Sequence, residues 1–523
     1  MAQGAKDIRS IKEEHCCGCG ACVNACPVDA ISMKEGAETF LFPEIDQNRC
    51  IHCGKCLRAC PAAQEAQPVA KTAAQAAAEK AQPEVKTAAQ AAAEKAQPGV
   101  KTAAGEKGVP RCFAAAAPDA IRLSSSSGGI FRVLADRVLS QKGTVYGAAW
   151  GENALFVEHV RITEKQELPR LSGSKYVPSR ISFSYRQILK DLEAGRPVLF
   201  SGTPCQNAGL LRFLKKPYEN LLTADIVCHG VPSEALFHSY LEETYGAEKV
   251  SEVRFRTKEF GQNCSHGVVC LKNGKRKVIS SAEDPYEQGF HRSLFLRKSC
   301  AACPFAPVPR IADFTLGDFW GLEKHSPDLA DPKGVSLVLV NTEKGERVWN
   351  EVKDGLLLCR EMPLEAGTGH NRFRKTIRVS PGRSRFFSLF PALGFSNAVR
   401  CAMENRYDVM LAWHGRQERE KLEAQLEAMA NGLGRTVCLE GHKDVVWECH
   451  AEGLEDLLKG RYPEELDEQE TKALEKLLKT RPGIAARGIA AAKKMGAKTA
   501  RGLFARLGPE KKEAVKALFR HGK

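Results

Sequence analysis

From about residue 115 to residue 395, short apolar runs alternate with stretches whose apolar residues recur at helical spacing. "GGIFRVLADRVLSQKG" predicts a helix, and "TVYGAAW" a strand after it. "SYRQILKDLEAG" predicts a helix ending at Gly195, followed by the strand "PVLFSG". "LLTADIVC" and "VSLVLVN" predict further strands, each leading into a helical stretch. "GVVCLKNGKRKVIS" predicts a hairpin that turns at Asn273-Gly274. Such alternation implies an α/β core with a mixed or mainly parallel sheet.

Outside this region the pattern changes. Residues 1–65 are dense in cysteine and predict a small α+β domain. Residues 66–114 are low in complexity: "KTAAQAAAEKAQPEV" at 71–85 recurs as "KTAAQAAAEKAQPGV" at 86–100. Ala, Gln, Glu and Lys favour helix, and Pro83 and Pro98 stop each unit. The repeats therefore read as short, semi-rigid spacers between 1–65 and the core at 115–400. Residues 401–462 predict a small helix-and-strand extension, and residues 463–523 a basic helical tail.

Cysteine spacing changes the picture most. Of 20 cysteines, nine lie between Cys16 and Cys60. "CCGCGACVNACP" places Cys16, Cys19, Cys22 and Cys26 at C-x2-C-x2-C-x3-C before a proline, and "CIHCGKCLRACP" repeats the spacing with Cys50, Cys53, Cys56 and Cys60. Three cysteines two residues apart wrap one face of a cubane, and the fourth is carried away to ligate the other cluster. Cys16, Cys19, Cys22 and Cys60 are thus expected to hold one [4Fe–4S] cluster, and Cys50, Cys53, Cys56 and Cys26 a second. Gly18, Gly20 and Gly54 permit close backbone approach to sulfide. Cys17 is surplus to the motif and takes no role. Residues 12–62 resemble bacterial-type two-cluster ferredoxins.

"RKSCAACPFA" at 297–306 holds half of such a motif, with Cys300 and Cys303 two residues apart. Cys205 follows one predicted strand and Cys228 ends the next. Strand ends are where open α/β sheets bind ligands. By spacing alone, a four-cysteine cluster, a zinc site and unconnected buried thiols all remain open.

Five blocks carry a resemblance: "SSSSGGIFRVLA", "LSGSKYVPS", "LFSGTPCQNAGLL", "DIVCHGVPS" and "CAACPFAPVPRIADFTLGDFWG". In this order they resemble the coenzyme F420 hydrogenase/dehydrogenase beta-subunit family, of the ferredoxin-fused bacterial type. The resemblance implies a third [4Fe–4S] cluster on Cys205, Cys228, Cys300 and Cys303. It also implies FAD, held by Ser126, Ser127, Gly128 and Gly129 and by Gly173, Ser174, Lys175 and Tyr176. A glycine-rich helix start suits a pyrophosphate, and Lys175 suits an anionic reduced flavin. Neither a G-x-G-x-x-G nor a P-loop fingerprint accompanies these blocks. The expected activity is that of an iron–sulfur flavoprotein oxidoreductase passing electrons between ferredoxin-type clusters and a two-electron substrate, with coenzyme F420 a candidate. A non-catalytic electron-transfer subunit feeding a partner enzyme is the alternative. No individual catalytic residue stands out.

Charge and composition add little to this. The net charge of +14 is concentrated at the end, where Arg481–Lys523 hold twelve Lys/Arg against two Glu. The tail suits weak surface contact rather than nucleic-acid binding. The opening residues lack the apolar core of a signal peptide, and no apolar run is long enough to span a bilayer. A cytoplasmic, reducing setting is expected, where clustered cysteines are metal ligands more often than disulfides. The expected partner is a redox protein or a small two-electron carrier.

Overall fold

The computed structural model describes residues 7–63, 109–259, 266–280, 283–369, 373, 380 and 382–403. The repeats at 71–100, Cys264, Cys438, Cys449, most of the 401–462 extension and the basic tail lie outside the described residues. The chain divides into one compact unit of residues 1–390 and 394–399, and a second of 391–393 and 400–523. The description below concerns the first.

The N-terminal segment forms an antiparallel hairpin of β1 (Ile31–Glu35) and β2 (Leu41–Ile45), in which Ile31 faces Ile45. Two helices, Ala21–Ala25 and Lys55–Ala59, carry Cys22 and Cys56. Each starts from a left-handed glycine, Gly20 at φ 73° and Gly54 at φ 66°. Such a φ lets the chain leave a tight loop and enter a helix at once, at little cost only for glycine.

The core sheet has nine strands: β3 (Arg111–Ala116), β4 (Thr144–Trp150), β5 (Val157–Ile162), β6 (Ser179–Arg180), β7 (Val198–Gly202), β8 (Leu221–Ile226), β12 (Phe314–Asp318), β13 (Ser336–Val340) and β14 (Leu358–Met362). Their order is β14-β3-β13-β12-β8-β7-β4-β5-β6. Strands β12, β8, β7 and β4 run parallel at its centre, while β13, β3 and β14 on one flank and β5 on the other join antiparallel. The expected mixed sheet is thus found. Strand β3 begins at Arg111, so the sheet starts four residues inside the segment read from sequence as linker. Five of its six residues are buried, and small Ala114, Ala115 and Ala116 give it the low complexity that hid it. A separate sheet joins β9 (Val250–Arg254), β10 (His266–Leu271) and β11 (Arg276–Ser280), and the predicted hairpin turns at Gly274 with φ 80°.

One face of the large sheet buries Val145, Leu199, Ala224, Phe314 and Val338 beneath the helices Ile130–Ser140 and Glu343–Val352. On the other, Tyr146, Val198 and Phe200 pack with Tyr185 and Leu210 of the helices Ser184–Glu193 and Pro204–Leu214. Cys19, Ala21 and Ala59 of the cysteine-rich segment belong to this same buried cluster. That segment is therefore docked on the core, not merely tethered to it.

Candidate metal centres and flavin crevice

The cysteines of the N-terminal segment gather in two groups. Cys26, Cys50, Cys53 and Cys56 line one cavity together with Val28, Ala30, Ile31, Ile45 and His52. The amide of Ala30 donates to Cys26 Sγ at 3.2 Å. The other four converge separately: burial raises the Cys22 thiol, and the neighbouring Cys16 and Cys60 raise it further. Burial likewise pushes the Cys60 thiol up to about 11, against the amides of Ala62 and Ala63 that favour its thiolate. Buried thiols that disfavour one another's charge need a cation to hold them as thiolates, and cluster iron supplies it.

The third set is built by strand register. In the parallel pair β7/β8, Gly202 lies opposite Asp225. Cys205 and Cys228 each follow three residues later, so the two thiols leave the sheet at one height. Cys205 enters the helix Pro204–Leu214, whose start is closed by a capping box of Thr203 and Gln206. Thr203 Oγ1 lies 3.1 Å from Cys205 Sγ. Cys300 sits on the short helix Lys298–Ala302, with Cys303 at its end. The amide of Arg297 donates to Val231 O at 2.8 Å, pinning that helix to the loop after Cys228. Burial raises the thiols of Cys300, of Cys228 to about 12 and of Cys303 to about 11, and Cys205 is raised first by its neighbour Cys17 and then by burial. Cys228 also feels Cys205 and Cys303, and Cys300 feels the other three. Four cysteines read from separate blocks are thus brought to one place. A cubane spreads its ligands wider than one ion does; among the described residues no three His, Cys, Asp or Glu groups close on a single ion.

Arg310 stands beside this set, 2% exposed, and its charge favours the thiolates of Cys228 and Cys303 against their burial. It is 3.5 Å from buried Asp225, whose carboxyl is pushed up to about 6 by burial.

Two features of the first ferredoxin set escaped the sequence. Cys17, given no role there, interacts through its thiol with both Cys19 and Cys205. It therefore occupies the seam between the first ferredoxin set and the core set. Tyr185 Oη lies 3.0 Å from Cys19 O and 2.8 Å from Gln206 O, joining the residues beside both. No spacing rule marks either residue, because each acts across more than 160 positions of chain.

Around that seam, side chains of the core hold the segment by its backbone. Arg186 donates to Val23 O, Asn24 O and Cys26 O at 3.1, 2.8 and 2.5 Å, and pairs with Asp29. Asn24 Nδ2 donates to Ser182 O at 2.8 Å. Arg383 forms a two-pronged pair with Glu38 at 2.9 and 2.6 Å.

The two glycine blocks expected to hold a flavin also meet. The amide of Ser174 donates to Ser126 Oγ at 2.8 Å. Gly129, at φ 87°, starts the helix Ile130–Ser140. Gly128 lies so close to β3 and β13 that a Cβ there would sit 2.4 Å from Ala115 O. Ser127 packs at the same place, its Oγ 3.3 Å from Val335 O. Gly173, at φ 85°, has open space above it. Half-buried Lys175 donates to Ser172 O at 2.9 Å, and desolvation brings its ammonium down to about 8. Tyr176 stacks on Phe290 at 4.6 Å and 15°. Its ring is thereby held in an aromatic cluster, while its carbonyl accepts from Tyr286 Oη at 2.7 Å.

Three further groups line this region. Lys258 Nζ donates to Ser127 O at 2.8 Å. Arg132 Nε and His159 Nδ1 are buried with no hydrogen-bond partner. Arg132 also reaches Ser172 through Nη1, and His159 feels the Lys175 charge. Buried polar groups are normally satisfied, so these two atoms stand out beside the glycine blocks.

Comparison with known proteins matches two parts of the chain. Residues 195–363 match the family model for the C-terminal region of the coenzyme F420 hydrogenase/dehydrogenase beta subunit. Residues 15–64 and 42–115 match models described as "4Fe-4S dicluster domain". The chain is thus a beta-subunit-like segment with an iron–sulfur ferredoxin segment at its N-terminal side. Among solved structures it is similar to a chain of the F420-reducing [NiFe] hydrogenase complex from Methanosarcina barkeri, at 17% identity, covering 58% of this chain and 91% of that one, with a TM-score of 0.35. No curated protein matches. Among the described residues, no helix of the beta-subunit-like or ferredoxin segments is long and apolar enough to cross a membrane.

Proposed function

We propose that the chain is an iron–sulfur flavoprotein oxidoreductase that exchanges electrons between two ferredoxin-type [4Fe–4S] clusters and a two-electron substrate. A third cluster on Cys205, Cys228, Cys300 and Cys303 lies between them, and FAD occupies the crevice of Ser126–Gly129 and Gly173–Tyr176. The observation that carries this reading is the seam at which Cys19, Cys17 and Cys205 meet. A one-electron route from ferredoxin to core needs such a junction, and a tether alone does not make one.

Bound FAD would supply the exchange between single electrons and electron pairs. The chain's own groups fit the task of holding it. Ser126, Gly128 and Gly129 offer a helix start to the pyrophosphate. Lys175 and Lys258 bring positive charge to the same crevice. His159 donates from Nε2 to Ser201 O at 2.9 Å, which leaves Nδ1 as an acceptor. Coenzyme F420 is the first substrate to try, because the family is described by it.

The test is anaerobic iron, sulfide and flavin analysis, then reduction by candidate donors. About twelve iron atoms, four per cubane, and one flavin are expected per chain. Zinc in place of the last four iron atoms would overturn the third cluster. Turnover of F420 or NAD(P)H with a viologen supports an enzyme. Cluster reduction without turnover of any hydride carrier would favour a subunit that feeds a partner.

A further inference from the structure

Arg297 is 6% exposed, yet no described carboxylate pairs with it. Glu38, on the facing hairpin, is engaged by Arg383 and Lys298. The guanidinium instead donates to Cys16 O at 3.2 Å and to Leu41 O at 2.8 Å. It lies over the rings of Phe40 and Phe42, at 5.0 and 4.8 Å from their centroids. Its own carbonyl accepts from the Cys300 amide at 3.0 Å. Gly18 faces it so closely that a Cβ there would stand 3.0 Å from Nη2. It therefore holds one residue of each set: its guanidinium grips the carbonyl of Cys16, and its own carbonyl grips the amide of Cys300.

A buried charge persists only when something nearby compensates it. Arg310, the other buried arginine by the core set, has Asp225 for that purpose. Arg297 has carbonyl oxygens, aromatic faces and the two thiol sets. Each set is anionic once it carries a cubane, and each gains one more negative charge when one electron enters.

We propose that Arg297 is a counter-ion shared by the first ferredoxin cluster and the core cluster. Standing between Cys16 and Cys300, it favours the reduced form of both clusters, and so raises their potentials together. It contacts none of Cys26, Cys50, Cys53 and Cys56, so the second ferredoxin cluster is not its partner. Arg297 is a positioning residue: it holds the seam and sets its charge without being a ligand. The inference rests on the third-cluster reading above.

The test is a potentiometric titration of the full chain, followed by electron paramagnetic resonance, with iron counted in each sample. In Arg297→Gln two of the three midpoint potentials should fall and the third should stay. Arg297→Lys, which keeps the charge, should restore most of the difference. Arg297→Met serves where the Gln variant loads iron poorly. A full iron count with no potential moved overturns the proposal, as does an equal shift of all three. An iron count near eight in the unaltered protein instead removes the core cluster, and the proposal fails with that reading rather than by its own prediction.

Discussion

Gly209, buried in the helix Pro204–Leu214, faces Cys19 of the ferredoxin segment across the seam. A Cβ at this position would stand 3.0 Å from Cys19 Sγ, 3.2 Å from Tyr185 Oη and 3.3 Å from Cys19 Cβ. None of the three has room to retreat. Cys19 is fixed by its cluster under the proposed assignment, and Tyr185 is fully buried and held at both Cys19 O and Gln206 O. On helix propensity alone Gly209→Ala would stabilise by up to about 1 kcal/mol. Overpacking a rigid contact costs roughly 1–3 kcal/mol. The clash therefore outweighs the propensity, and the net loss, up to about 2 kcal/mol, falls on docking because the core helix itself relaxes once the segment leaves. At 1.4 kcal/mol per decade, that is roughly a 30-fold shift toward the undocked state.

Hydrogen exchange read by mass spectrometry measures this directly. Amides at the seam, in residues 20–26 and 184–190, should lose protection by up to that factor, while amides of β12 and β13 keep theirs. Iron content should not change, since no ligand is replaced. A Gly209→Ala protein with a higher melting temperature and unchanged protection at the seam would refute the reasoning. It would mean that Cys19 is free to move away from the helix.

Replacing Cys205 by Ser should remove about four of twelve iron atoms and leave both ferredoxin signals in the paramagnetic resonance spectrum; an undiminished iron count would sink its assignment. Gly128→Ala puts a methyl 2.4 Å from Ala115 O and 2.6 Å from Ser336 N, backbone atoms of adjacent strands that cannot yield. It should release flavin while the iron count holds, as measured by absorbance after desalting; retention of flavin would separate this glycine from the crevice. His159 is buried and brought down to about 4 by desolvation, below the roughly 6.5 of an unfolded histidine. The unfolded chain therefore takes the proton first, so stability is lost as pH falls from about 6.5 toward 4, by about 3 kcal/mol in full. Melting temperatures of His159→Gln should fall less than those of the unaltered protein over that range, and parallel curves would show that the ring does not contribute.

The parts legible in the sequence were those written in local pattern. The C-x2-C-x2-C-x3-C runs, the Asn273-Gly274 turn and the apolar strands β7, β8 and β13 all lie within windows of about a dozen residues. The strand β3 escaped because its alanines look like the repeat linker before it, although all three are fully buried between β13 and β14. The docking of the ferredoxin segment escaped for a different reason. Arg186 reads the carbonyls of Val23, Asn24 and Cys26, and a carbonyl has no letter in the sequence. Cys17 likewise reads as a spare cysteine until the helix that carries Cys205 is set against it.

Under the proposed assignment, the placement of the three cysteine sets argues for an order of electron passage. The cavity of Cys26, Cys50, Cys53 and Cys56 is bordered by exposed His52 and by Ile51, which is 59% exposed. The set of Cys16, Cys19, Cys22 and Cys60 faces inward instead, with Cys19 buried against Leu210 and Tyr185. The core set then continues from Cys205 at the ends of β7 and β8. A carrier outside the protein reaches the first of these sets more readily than the others, and the second packs into the core through Cys19. The duplication of the ferredoxin motif thereby acquires a physical use: one copy of the cluster meets the partner, and the other meets the seam held by Cys17, Tyr185 and Arg297. A single cluster would have to be exposed and buried at once.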